Sequence, residues 1–418
     1  MEYNERVMRS SKKPNTRAST LRKFWENPLI LPIYLPTFFF ALALGLLMPV
    51  LPLYAGELSD SYGLIGLVVS GAGLGTLLAD LPSGLILRKV GKKRATLIGI
   101  GLCALSTAAL FWANSILLAL GLRILAGMGM SLYSIARHVY ITEAAAAESR
   151  GRAIALFGGV FRLGIFIGPI LGGIISSRIN FRLPFLVFLI FCGVAMLIVL
   201  IARHHFVEEE EGLIDDDTSQ GRLLWSEMRP RLGVLSISGF GHILSQITRA
   251  GQRLIIPLFC ADILGLDVEA IGYIVAASSA VSMTLFYPVG LIMDRVGRKW
   301  AIVPSFVIQG LGLALLPLTH GFTGALLVSA LIGFGHGFGS GTMMTLGADL
   351  SPQVGRSTFL ALWRWVGDAG SSGGPLVVGY VADILTLPNT SLAVAGAGIM
   401  AGLIFAFFVP ETLKKVKD

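Results

Sequence analysis

Charge is scarce in this chain. Asp, Glu, Lys and Arg together make up 14% of its 418 residues, where a soluble domain carries roughly a quarter. Cysteine is scarcer still. Cys103, Cys192 and Cys260 are the only three, and they stand in apolar context with no metal-ligand spacing, so packing is their expected role. The sequence holds no nucleotide-binding loop, no paired metal-ligand spacing and no nucleophile motif, so no cofactor is called for and an enzyme is not expected. No cleavable signal peptide is expected: residues 1–28 are polar and basic, and the first apolar run is too long for such a segment.

What the chain has instead is apolar length. Hydrophobic residues make up 54%, and the mean hydropathy is +0.75. Runs of about 20 apolar residues, each long enough to cross a bilayer, fall at about 29–54, 63–87, 95–115, 116–139, 153–177, 184–203, 233–259, 269–293, 301–319, 323–346, 358–382 and 391–409. Lipid offers no partner to backbone polar groups, so these twelve spans must be helices. The 51 glycines suit close helix packing in a membrane.

The spans form a repeat. Residues 82–93 read PSGLILRKVGKK and residues 288–299 read PVGLIMDRVGRK, 206 positions apart. The same offset carries Gly127 and Gly129 onto Gly333 and Gly335, Arg150 onto Arg356, and Gly168-Pro169 onto Gly374-Pro375. The expected fold is therefore an all-α membrane protein with twelve transmembrane helices in two pseudo-symmetric six-helix bundles. A bundle over 29–203 and a second over 231–409 are separated by an acidic linker, 204–230, and flanked by tails 1–28 and 410–418. Two related bundles can rock about a site held between them, the usual construction of a transporter. Each chain holds one complete two-bundle unit, so a monomer is expected.

The formal net charge of +8 is not a nucleic-acid signal. Twenty-five of the 33 Lys and Arg residues fall in loops on one side of the spans, and only Arg178 and Arg182 fall on the other. That bias predicts both termini in the cytoplasm, with anionic lipid of the bilayer as a secondary contact. Short outer loops and economical length suggest a bacterial inner membrane. The acid runs Glu208–Glu211 and Asp215–Asp217 read as a solvated linker.

Several local motifs converge on one family. Asp294-Arg295-Val296-Gly297-Arg298-Lys299 follows the eighth span; Gly164, Gly168, Pro169, Gly172 and Gly173 mark the fifth; Arg123, Gly127 and Gly129 mark the fourth; the first ends in Pro49-Val50-Leu51-Pro52-Leu53-Tyr54. Over nearly its full length the chain resembles a major facilitator superfamily transporter, and the fifth-span pattern is similar to that of the 12-helix drug:proton antiporters. The resemblance implies that the loops around Gly84, Arg88 and Gly91 and around Asp294, Arg295, Gly297 and Arg298 act as conformational latches. It also implies that the fifth-span glycines form a smooth stripe where a neighbouring helix approaches. The first latch departs from the pattern, because Arg88 stands where the family has Asp. Asp80, about two turns earlier, is one candidate to replace that acid.

Ionisable groups at membrane depth cost roughly 2.5–3.5 kcal/mol each on insertion scales, so they need partners or a purpose. Here Arg123, Arg137, Arg162, Arg249, Arg253 and Arg364 stand against only Asp80 and Asp368. In the seventh span Ser238, His242, Gln246, Arg249 and Arg253 share one face, and in the eleventh Ser357, Arg364, Asp368 and Ser371 do so. A central cavity is the simplest common destination, which makes Arg123, Arg162, His242, Gln246, Arg249, Arg253, Arg364 and Asp368 the candidate substrate-binding residues. Guanidinium groups bind carboxylate and phosphate through paired hydrogen bonds, so the cargo is expected to be anionic or to carry an anionic end. Asp80 and Asp368 are the candidate proton carriers.

The resulting expectation is a proton-coupled antiporter that exports small organic or amphipathic molecules. An importer or exchanger of organic anions remains open, as does a lipid or lysolipid transporter. A non-transporting sensor is disfavoured by the short tail after Pro410. Without an ATP site, movement has to be driven by a gradient.

Overall fold

The computed structural model describes residues 29–144, 150–202, 229, 232–352 and 355–413. The expected tail 1–28, all of the linker 204–230 except Arg229, and the last five residues lie outside that range. Every span is helical, and no strand occurs among the described residues. The first bundle comprises α1 (Leu35–Leu58, entered through a π-helical turn Ile30–Tyr34), α2 (Tyr62–Val90), α3 (Lys92–Ala109), α4 (Ile116–Ala144), α5 (Arg150–Arg178) and α6 (Leu183–Ile201). The second comprises α7 (Leu232–Leu258), α8 (Val268–Arg295), α9 (Lys299–Leu315), α10 (Gly321–Phe338), α11 (Arg356–Leu385) and α12 (Leu387–Phe407).

Local chemistry sets the ends of these helices. Ser61 caps α2 by accepting the Leu64 N–H, and Asp267, its counterpart in the repeat, caps α8 by accepting the Ala270 N–H at 3.1 Å. The turns from α2 to α3 and from α8 to α9 pass through Gly91 (φ 78°) and Gly297 (φ 149°), where a Cβ would be strained. The tenth span departs from expectation. It breaks at Gly339–Gly341, with Gly341 at φ 74°, and resumes as a short helix, Thr342–Leu350.

Nine helices among the described residues are apolar and long enough to cross a bilayer on those grounds alone; α3, α7 and α11 are not among them. α3 opens on Lys92-Lys93-Arg94, whereas α7 holds Arg249 and Arg253, and α11 holds Arg364, Asp368 and Asp383. A helix carrying such groups is compatible with lipid only if they face protein or water.

The packing pattern repeats between bundles. In the first, α1 packs on α5 and α6, α4 on α2 and α3, and α3 on α6; in the second, α7 packs on α11 and α12, α10 on α8 and α9, and α9 on α12. The main bridges between the bundles are α2 with α11 and α5 with α8, with lighter contacts of α1 to α7 and α8.

These bridges are tight at only one end of the molecule. At the end bearing Asp262, Asp267, Glu269 and Asp383, hereafter the acidic end, a Cβ on Gly66 would run into the Pro375 carbonyl. Its repeat-mate Gly272 meets the Pro169 carbonyl in the same way, with 2.5 Å available. Gly379 and Gly173 approach the opposing carbonyls of Tyr62 and Val268. At the other end, which carries Arg88, Lys92, Arg298 and Lys299 and is hereafter the basic end, a Cβ added to Gly84 of α2, Gly158 or Gly159 of α5, or Gly290 of α8 would meet open space. Leu81 of α2 and Tyr287 of α8 are 87% and 75% exposed there. The bundles are clasped at the acidic end and apart at the basic end.

Candidate functional site

Between the bundles lies a cavity of two lobes that share Met48, Ile165 and Arg253. One lobe, about 290 Å³, leans on the second bundle and is lined by Arg162, Arg249, Gln252, Arg253, His336 and the hydroxyls of Ser278, Ser279, Ser282 and Ser329. The other, about 410 Å³, leans on the first bundle; Leu44, Leu47, Leu51, Pro52, Val69 and Phe161 give it an apolar wall, with Arg123 as its charge. The asymmetry comes from two repeat-related helices. The positions of Arg249 and Arg253 in α7 correspond to Ala43 and Leu47 in α1, so one side of the cavity is basic and the other is greasy. No Asp or Glu lines either lobe.

The arginines are only partly spent on protein partners. Arg249 donates from Nη2 to the Gly339 carbonyl at 3.0 Å and lies over the Phe306 ring at 5.1 Å. Arg162 crosses between bundles to donate to Ser340 Oγ, and stacks over Phe286 at 4.2 Å. Both arginines thus hold the break in α10. The buried Arg123 Nε, Arg162 Nη1 and Arg249 Nε have no hydrogen-bond partner among the described residues, an arrangement that costs about 1–3 kcal/mol or more for each such donor. Arg253 lies deep in the molecule and yet is exposed, because the surface it exposes is cavity wall. His336 donates from Nε2 to Gln252 Oε1 at 2.7 Å, and Gln252 Nε2 donates on to Gln309 Oε1 at 3.4 Å.

Of the eight residues expected to bind substrate, Arg123, Arg162, Arg249 and Arg253 line the cavity, and the other four do not. His242 is buried inside the second bundle, its ring stacked on Trp363 at 4.7 Å and closely set against Gly367. Gln246 packs at Gly370. The polar stripe of α7 is straight, but its neighbours change along its length: α11 covers His242 and Gln246, and the cleft receives Arg249 and Arg253. Arg364 pairs with Asp368 at 3.4 Å, and the Arg364 side chain is 60% exposed. Asp80 faces this pair closely enough for its charge to act on Asp368, and accepts from Ser131 at 2.6 Å. The two acids therefore lie near each other between α2 and α11, apart from the cavity. Arg162, expected opposite Asp368, is bonded to Ser340 instead. Arg137 sits between the Tyr133 and Phe157 rings, at 4.9 and 4.5 Å.

The fifth-span glycines face two ways. Gly164, Gly168 and Gly172 meet α1 at Ala41, Gly45 and Leu46, whereas Pro169 and Gly173 meet α8 at Gly272 and Val268. The stripe is thus an intrabundle seam with an interbundle clasp beside it.

The loop after α8 is richly bonded, but within its own bundle. Arg298 donates to Asp294 at 2.8 Å, to Asp349 at 3.1 Å and to the Met293 carbonyl at 2.8 Å. Glu411, assigned by sequence to a tail, accepts the backbone N–H groups of Arg298 and Lys299, and Thr412 donates to Asp349 at 2.7 Å. In the first bundle Lys92 pairs with Glu143. Asp80 accepts from Ser131. Gly84 lines open space, Gly91 makes the turn, and Arg295 closes α8.

Sequence reasoning missed Glu411, Asp349 and the α10 break. The Gly339-Ser340-Gly341 triplet was the available signal, because two glycines around a serine inside an apolar run mark a turn.

Comparison with known proteins follows the fold. The family profile of the Major Facilitator Superfamily matches residues 33–241 and 238–418. An uncharacterized MFS-type transporter of Methanocaldococcus jannaschii is 23% identical over 375 residues, covering 89% of this chain and 96% of that protein. One of Bacillus subtilis is 24% identical over 61% of this chain and 63% of its own length. Among solved structures, a bacterial homologue of the human lysosomal transporter Spinster, inward-facing and unoccupied, superposes with TM-score 0.70 at 15% identity over 91% of this chain and 94% of that one. A peptide transporter of the POT family in complex with sulfate gives 0.72 at 14% identity, with the same coverage.

Proposed function

The chain belongs to the Major Facilitator Superfamily, and from that premise we propose that it is a proton-coupled antiporter exporting small organic anions, or amphipathic molecules with an anionic end, by alternating access. The observation that carries this reading is the cavity itself, with four arginines on its walls and no carboxylate among them. Guanidinium groups attract anions and repel cations, and the apolar lobe accommodates the rest of the cargo.

Direction follows from electrostatics. The basic end faces the cytoplasm by the positive-inside rule, and it is the end at which the bundles stand apart. An anion is drawn to that end and repelled by Glu57, Asp60, Asp262 and Asp383 at the other. In a cell that is negative inside, outward movement of one negative charge is favoured by about 2.3 kcal/mol per 100 mV. Asp80 and Asp368, facing each other across α2 and α11 with Arg364 and Ser131 beside them, are the proposed proton carriers. In this reading the protein acts as a monomer in a bacterial inner membrane, and the glycine clasp has to separate for cargo to leave.

The test is transport in proteoliposomes. Labelled benzenesulfonate should cross in response to an imposed pH gradient, and Arg249→Gln should abolish the flux. A flux that ignores the pH gradient but exchanges one anion for another would instead support organic-anion uptake or exchange, the reading favoured by the absence of a carboxylate in α1 ahead of Glu57.

A further inference from the structure

The two lobes differ enough to narrow the cargo. The lobe on the second bundle concentrates three guanidinium groups, Arg162, Arg249 and Arg253, and each lies within electrostatic reach of the adjoining His336. Around them are donors: Ser278 and Ser282 make no side-chain hydrogen bond among the described residues, and Arg162 Nη1 and Arg249 Nε are buried donors without a partner there. The amide acceptor of this lobe, Gln252 Oε1, is already bonded to His336. The other lobe has one guanidinium, Arg123, and a wall of leucine, proline, valine and phenylalanine.

A carboxylate or sulfonate brings one negative charge, so it would leave two of the three guanidinium charges of this lobe uncompensated. A phosphate monoester brings about −1.5 to −2 charges at neutral pH and three strong acceptor oxygens. It matches both the charge and the excess of donors, and it can take over the hydrogen bonds that Arg162 and Arg249 now give to Ser340 and Gly339. We propose that the cargo is an organic phosphate monoester or phosphonate, its dianionic head held by Arg162, Arg249 and Arg253 and its compact apolar body in the lobe lined by Leu44, Leu47 and Leu51. The inference rests on the anion reading above and sharpens it.

The test is binding to the purified full chain in detergent, read by ligand-induced thermal stabilisation, with probes of one size. Phenyl phosphate and phenylphosphonate supply the dianion, benzenesulfonate and benzoate the monoanion, and inorganic phosphate the head without a body. The expected result at about pH 7.5, well above the second ionisation of a phosphate ester, is at least roughly tenfold tighter binding of phenyl phosphate than of benzenesulfonate or benzoate, with inorganic phosphate weaker than phenyl phosphate. Lowering the pH through about 6, where that ionisation lies, should weaken phenyl phosphate while leaving benzenesulfonate unchanged. A titration within the protein would move both. Arg253→Gln should remove most of the preference for phenyl phosphate, and Arg249→Gln offers a second variant if the first does not fold. Equal binding of monoanions and dianions overturns the phosphate inference but leaves the anion transporter standing. Inorganic phosphate binding as tightly as phenyl phosphate overturns the organic body. Stabilisation by benzylamine, and by none of the anions, overturns both readings.

Discussion

At the scale of single residues, the argument turns on which arginines are already satisfied. Arg298 is held by two carboxylates and a carbonyl, and Arg364 has Asp368, so neither needs a ligand. Arg249 has one carbonyl and one aromatic face, with a buried Nε left over. Replacing it by Gln should weaken binding of aromatic anions by roughly ten- to a hundredfold, as expected for loss of about 1.5–3 kcal/mol from a charged hydrogen bond, which a ligand titration of the folded variant will measure. Asp368→Asn should flatten the pH dependence of transport in proteoliposomes while leaving anion binding in place, because Asp368 lies outside the cavity; an unchanged pH profile would remove Asp368 from the coupling step. Glu411 gives a pH prediction outside the membrane. Burial raises its pKa, but the N–H groups of Leu413, Arg298, Lys299 and Thr412 outweigh this and hold the carboxyl below its ordinary 4.5. A depressed folded value means that its contribution is fully present above the ordinary value and is lost as the pH falls through the lower folded value. The melting temperature of Glu411→Gln should therefore lie below that of the native chain at neutral pH, and the gap should close as the pH falls below 4.5.

At the scale of elements, the four bridging helices are built to meet closely at one end and stand apart at the other. Gly66 and Gly272 occupy equivalent places in the repeat, and each opposes the carbonyl of a proline, Pro375 and Pro169, which are themselves equivalent. Side chains strengthen this clasp. Asp383 of α11 accepts from Ser61 Oγ at 2.7 Å and from the first N–H groups of α2, Tyr62 and Gly63; Arg178 of α5 makes a two-bonded pair with Glu269 of α8. Gly272→Val should force the acidic ends apart. Spin labels at positions 59 and 386 will report it as a longer distance than in the native background, whereas an unchanged distance would show that the clasp tolerates a side chain.

The elements also show what a sequence discloses. The twelve spans and the two halves were legible because run length, the 206-residue offset and helical period are local properties. The four cavity arginines were legible because guanidinium in an apolar run is costly wherever it points. Which residues of the α7 stripe reach the cavity was not legible: His242 and Arg249 share a face, and only the course of α11 past them decides that one is covered and the other is not. Glu411 was hidden for a related reason, because its partners are backbone N–H groups from a loop more than a hundred residues away, and these leave no pattern in sequence.

At the scale of the whole molecule, two bundles related by a repeat enclose an asymmetric cavity, basic on one side and apolar on the other, beneath a clasp that closes one end of the molecule. In the proposed cycle the symmetric parts, the glycine clasp and the paired helix contacts, are the ones that move, and the asymmetric part, α7 against α1, selects the cargo. The most direct test of this account is the thermal stability of the purified chain against four molecules of matched size: benzoate, benzenesulfonate, benzyl alcohol and benzylamine. A ligand that binds only the folded state raises stability with its concentration. The account predicts stabilisation by the two anions alone, lost in Arg249→Gln and Arg253→Gln. Stabilisation by benzylamine, with no response to the anions, would mean that the arginines serve the structure and that the cavity selects cations.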